Sequence, residues 1–139
     1  MPSAKMEQAI ALLLAHGDAC ATRLPPPGDA VLNDIARESG LPLPDDYRTL
    51  VQRAGNISLT RELLQPRAGR EGRLNLLSAI VEARASGVPA EWLPICRDNG
   101  DYYCLLPDGS VRLWSHDAMF EGEWTDLPDW VVDSFINGN

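Results

Sequence analysis

The sequence predicts an α+β domain, in which about five helices pack on an antiparallel β-sheet meander. Three observations carry this. Four segments in the first two-thirds of the chain place apolar residues at helical spacing. The stretch "WLPICRDNGDYYCLLPDGSVRLWS" then breaks short apolar runs with tight-turn residues. Last, "TDLPDWVVDSFI" returns to helical spacing. A chain of 139 residues is the size of one domain, so residues 1–139 are expected to form a single unit.

The first helix is "SAKMEQAIALLLAH". Ser3 is its expected cap, and Met6, Ile10, Leu13 and Leu14 lie near one face. "LPPPGD" is a stiff spacer. "DAVLNDIARESG" forms the second helix, with Asp29 as cap, Val31, Leu32 and Ile35 inward, and Gly40 as the left-handed stop. In "LPLPDDYRTLVQRAGN", Pro44 suits a first helical turn, where its missing N–H costs nothing. Asp45 and Asp46 complement the positive helix start, and Arg53 the negative end. Tyr47, Leu50 and Val51 share a face.

"ISLTRELLQP" is expected to be a strand ahead of a loop containing Gly and Arg. "NLLSAIVEARASG" is the fourth helix, with Asn75 as cap and Leu76, Leu77, Ile80 and Val81 inward. Three strands follow, over 92–97, 101–106 and 110–115. Asn99-Gly100 marks a two-residue hairpin, because both central residues of a type I′ turn need positive φ. Pro107-Asp108-Gly109 marks the next turn. The closing helix has Asp126 as cap, with Trp130, Val131 and Phe135 as core residues.

Charge divides the chain sharply. Net charge is −8. Up to Arg97 the eleven acids and eleven bases cancel. From Asp98 onward nine acids face one base, Arg112, so this segment carries the whole −8. Direct nucleic-acid binding is not expected, since it needs Lys and Arg to neutralise phosphates. A basic partner drawn in by long-range attraction is the sharper expectation, and a merely solubilising surface is the plain one. No apolar run approaches the ~18 residues of a membrane span. "AIALLLA" lacks a basic leader, so no signal peptide, no membrane contact and a cytoplasmic location are expected.

"DNGD" lacks the spacing of a calcium loop, which needs Gly at the sixth position and Glu at the twelfth. Cys20, Cys96 and Cys104 have no zinc-type spacing, so no metal and no other cofactor is expected. With Asn99-Gly100 as the loop, Asp98 faces Asp101, Cys96 faces Tyr103 and Cys104 faces Ile95. The two thiols then point to opposite faces of the sheet and form no disulfide. Cys104, His116 and Asp117 can be assembled on paper into a nucleophile, a base and an orienting acid. No motif supports that triad, and no enzyme is expected. Trp114, Trp124 and Trp130 all fall in the acidic half. Core packing is the ordinary fate of a tryptophan, but Trp is also enriched at binding hot spots. Trp124, flanked by Glu121, Glu123 and Asp126 in an expected loop, is the first choice for an exposed anchor.

These residues resemble the SUKH superfamily, named after a fungal cell-wall-synthesis regulator. "GLPLPDDYRTLVQRAGN" is similar to the family's Leu-Pro-x-x-Tyr helix, although the usual Asn-Gly end reads Ala54-Gly55-Asn56 here. "WLPICRDNGDYYCLL" resembles its Pro-Ile and Gly-Asp strands. "GSVRLWSHD" resembles a strand ending in His-Asp, and "WVVDSFI" the closing helix with its Ser-Phe pair. The resemblance is firmest over residues 30–136. It implies helices on an antiparallel sheet. In bacteria it implies a non-enzymatic immunity protein, or antitoxin, that blocks a secreted toxin domain, often a nuclease, delivered by contact-dependent inhibition or type VI secretion. The other reading is a regulatory scaffold of the fungal type. Charge and turn placement make Asp98, Asp101, Asp117, Glu121, Glu123, Trp124 and Asp126 the expected partner-binding residues.

Overall fold

The structure is a computed structural model that describes residues 2–16, 18–19, 26–55, 57–58, 62–69, 71–72, 74–98, 100–116 and 122–137. Helix α1 (Ala4–His16) starts at Ser3, whose Oγ accepts the Met6 N–H at 3.1 Å. Met6, Ala9, Ile10 and Leu13 are buried. Leu14, expected inward, is 47% exposed. At about 100° per residue the four buried positions share an arc of roughly 100°, and Leu14 lies about 90° from its centre.

Helix α2 (Asp29–Ser39) buries Leu32 and Ile35. Its cap position is Gly28 rather than the expected Asp29. The Asp29 carboxylate instead accepts from Gln52 Nε2 at 3.0 Å, which ties α2 to α3 (Asp45–Ala54). Pro44 sits at the cap of α3, just ahead of its first turn, and Tyr47, Leu50, Val51 and Ala54 face the core.

Two short strands, β1 (Asp18–Ala19) and β2 (Ile57–Ser58), pair antiparallel. β1 was not expected. Of the strand expected over 57–66, the described residues hold β2 and two isolated bridges, Leu63 to Cys96 and Gln65 to Asn75, and residues 59–61 lie outside the described residues. Helix α4 (Leu76–Ser86) is capped as expected by Asn75, whose side chain accepts the Ser78 N–H at 3.0 Å. Val81 is 50% exposed, a correction to its inward placement. It stands about 100° round the helix from Ile80, on the side away from Ala79.

The main sheet runs β3 (Leu93–Asp98), β4 (Asp101–Leu105), β5 (Val111–Trp114) and β6 (Gly122–Trp124), in that order and all antiparallel. The expected three-stranded meander therefore gains a fourth strand. Asp98 pairs with Asp101 and Cys96 with Tyr103, as the turn chemistry requires, and Gly100 has φ of 86°. A bulge between Pro94 and Cys96 then shifts the register. Cys104 faces Pro94 rather than the expected Ile95.

The two thiols still end on opposite faces. Cys96, Tyr103, Leu105 and Val111 join the main core with α1, α3 and the closing helix. Cys104 and Tyr102 join a smaller cluster with Ala83 and Val88, edged by Trp92, Leu106 and Trp114. Helix α5 (Leu127–Trp130) is capped by Asp126, which accepts the Asp129 N–H at 2.9 Å, and runs on as a π-helical turn, Val131–Ile136. Trp130 sits between Tyr103 and Phe135, with ring centroids 5.4 and 5.5 Å away. No helix among the described residues is long and apolar enough to cross a membrane.

Candidate interaction surface

The described part of the acidic segment reaches both ends of the sheet: Asp98 and Asp101 flank the β3–β4 hairpin, Asp108 lies in the β4–β5 turn at the opposite end, Glu123 is on β6, and the rest belong to the closing helix. Asp98 and Asp101 face each other across the β3–β4 hairpin, both half-buried. Asp101 is committed locally. Its Oδ1 accepts from the His116 ring Nδ1 at 2.6 Å and from the His116 backbone N–H at 3.1 Å, and its side chain is only 14% exposed. The Gly-Asp and His-Asp stretches noted in the sequence thus meet, through Asp101 and His116, and lock the end of β5 to the start of β4. Asp101→Ala should lower the unfolding free energy by about 1–2 kcal/mol in a urea titration, the net value of two such bonds.

Glu123 lies on β6 beside Arg112 of β5, at 3.3 Å. Trp124 is in the same strand, not in a loop as expected, and it is half-buried. Its ring packs on Tyr103, 5.7 Å between centroids, and its Nε1 donates to Asp133 Oδ2 at 2.8 Å. Gly122 makes room for this placement: a Cβ there would meet the far edge of the indole at 2.7 Å. Asp126 caps α5 and also meets Lys5 Nζ at 3.0 Å, while Asp129 meets the same ammonium at 2.7 Å. Asp129 first, then Asp126, raises the Lys5 pKa above its ordinary value. Asp108 serves its own turn, accepting from Ser110 N–H and O–H, and these bonds hold its carboxyl below the usual range. Asp117 and Glu121 lie outside the described residues.

Two carboxylates that the sequence reading passed over, Asp129 and Asp133, join Glu123, Trp124, Thr125, Val132 and Asn137 around a cleft of about 380 Å³. Their four-residue spacing on one helix was the available signal. Carboxylates beside an indole suit a cationic side chain, through ion pairing and, over the ring face, cation–π contact.

Nucleophilic chemistry finds no support at Cys104. The thiol is fully buried, and burial pushes its pKa up to about 12, so almost no thiolate forms near neutrality. His116 bonds to Asp101 on the exposed end of the sheet. Among the described residues no three His, Cys, Asp or Glu side chains gather as a metal site would require.

Fold and surface define an α+β domain: a four-stranded antiparallel meander under a helical layer, with an acidic, aromatic-lined edge. The chain belongs to the SUKH family, for the family model described as SUKH_5, SMI1-KNR4 cell-wall, matches residues 6–136. A protein from Pseudomonas syringae pv. tomato, known from its crystal structure, is similar throughout. It is 26% identical, the match covers 91% of this chain and 96% of that one, and the TM-score is 0.81. Among curated proteins none matches this chain.

Proposed function

We propose that this chain is an immunity protein that binds and neutralises a cognate secreted bacterial toxin domain. Membership of the SUKH family supports the reading, since its bacterial branch is associated with that role. The observation that carries it is the placement of charge. The whole −8 lies from Asp98 onward, and its described carboxylates sit on the turns of the main sheet, on β6 and on the closing helix. A basic active site, such as that of a nuclease, is the natural complement. Asp98, Asp101, Asp117, Glu121, Glu123, Trp124 and Asp126 are the proposed contacts, with Asp129 and Asp133 added from the cleft. Long-range attraction speeds association and fades with salt, while packed anchors such as Trp124 slow dissociation.

The test is growth rescue. The C-terminal domain of the protein encoded directly upstream is expressed with and without this chain. Toxicity abolished only by this chain supports the reading. Toxicity left untouched turns the weight to a regulatory scaffold. Once the partner is in hand, Glu121→Lys with Glu123→Lys should weaken binding at least tenfold, about 1.4 kcal/mol, in a titration at low salt. Asp126 is left out of that variant on purpose. Its reversal would also remove the α5 cap, worth about 1 kcal/mol, and set a lysine against Lys5. Unchanged affinity would remove the β6 end from the interface.

A further inference from the structure

Strand β6 ends the main sheet, and among the described residues no strand lies on its far side. A strand in that position turns half of its N–H and C=O groups outward, a template for another extended chain. Proteins commonly guard such edges by shortness, as in this three-residue strand, by charge, as at Glu123, or by a proline, a lysine or a bulge. Gly122–Trp124 has no proline, lysine or bulge, its register with β5 is regular, and the sign of its one charge admits a basic chain while opposing an acidic one.

The cleft between β6 and the closing helix is lined by both Glu123 and Trp124, neighbours that point to opposite faces of the sheet. The cavity lies where β6 meets the closing helix, so it adjoins the strand. Its remaining walls carry Asp129 and Asp133. The cations nearby are already engaged, Arg112 with Glu123 and Lys5 with Asp126 and Asp129. Three carboxylates thus line the edge against two bound cations. A second copy of this chain pairing β6 to β6 would bring like charges together, which disfavours it.

We propose that the open edge of β6 takes an extended basic segment of the partner as a fifth strand. Its Lys or Arg side chains seat in the cleft of Glu123, Asp129 and Asp133, beside the Trp124 indole. The assignment rests on reading this chain as a partner-binding immunity protein. It adds the form in which the partner is held: backbone pairing supplies affinity, and the carboxylates select the sign of charge.

Two capped six-residue peptides, one alternating Lys and Val and one alternating Glu and Val, serve as probes for the ¹⁵N-labelled full chain. The Lys–Val peptide should shift the amides of Gly122, Glu123 and Trp124 and the Trp124 indole N–H. It should slow exchange of the outward amides about tenfold, and the Glu–Val peptide should do neither. Glu123→Lys and Asp133→Lys should each weaken the Lys–Val response at least tenfold. Glu123→Gln and Asp133→Asn serve if either reversal fails to fold. No shift at β6, or the same shift with both peptides, overturns the inference. The peptide assay needs no toxin, so the two readings separate. Binding at β6 without growth rescue keeps this inference and removes the immunity reading. Rescue with unmoved β6 amides does the reverse.

Discussion

Trp130→Ala should lower the free energy of unfolding by about 3–5 kcal/mol, the usual cost of truncating a buried aromatic. The indole is completely buried and holds α5 to the sheet through Tyr103 and to the last turn through Phe135. Its Nε1 makes no hydrogen bond among the described residues, so the loss is one of packing and cavity. Trp130→Phe should cost much less, because it keeps an aromatic ring and removes an unpaired buried N–H. Urea unfolding followed by circular dichroism measures both. A total stability of roughly 5–15 kcal/mol makes the alanine variant a severe one. A loss below about 1 kcal/mol would show that the closing helix contributes little to the common core.

Alkaline pH should destabilise the protein through Cys104. In the folded chain burial holds the thiol proton up to about pH 12. The unfolded thiol loses it near pH 8.5 or so. Between those values the unfolded state binds fewer protons than the folded one. The contribution is therefore fully present below the unfolded value and is lost as pH rises, by about 1.4 kcal/mol per unit. The Tyr47 phenol is wholly buried and also pushed up by desolvation, so it adds to the loss at still higher pH. Urea titrations at steps from pH 7 to 10 read the slope. Cys104→Ala should flatten it above pH 9, whatever its effect on stability at neutrality. The same slope in both proteins would mean that the thiol is reached by solvent.

Local signals in the sequence hold where a few neighbouring residues decide the structure, the cap expected at Asp29 excepted. The Asn-Gly turn signal anticipated the pairing of Asp98 with Asp101, with Gly100 at positive φ. Asn75 and Asp126 capped their helices because each offers an acceptor three residues before an orphan N–H. Strand β6 was missed because three residues, "GEW", are too few to show alternation. Leu14 and Val81 were misplaced because periodicity names a stripe but not how wide a stripe the neighbours cover.

The candidate surface divides in the same way. By itself the sequence determined that the acidic charge falls from Asp98 onward, and that hairpins and a capped helix carry it. Turn chemistry and net charge depend only on residues close in the chain. The tertiary structure alone decided which carboxylates are engaged and which face a cleft. Lys5 reaches Asp126 and Asp129 from the other end of the chain, His116 locks Asp101, and Asp133 holds the Trp124 indole over Gly122. These partners meet at the surface because the packing of helices on the sheet brings distant parts of the chain together there.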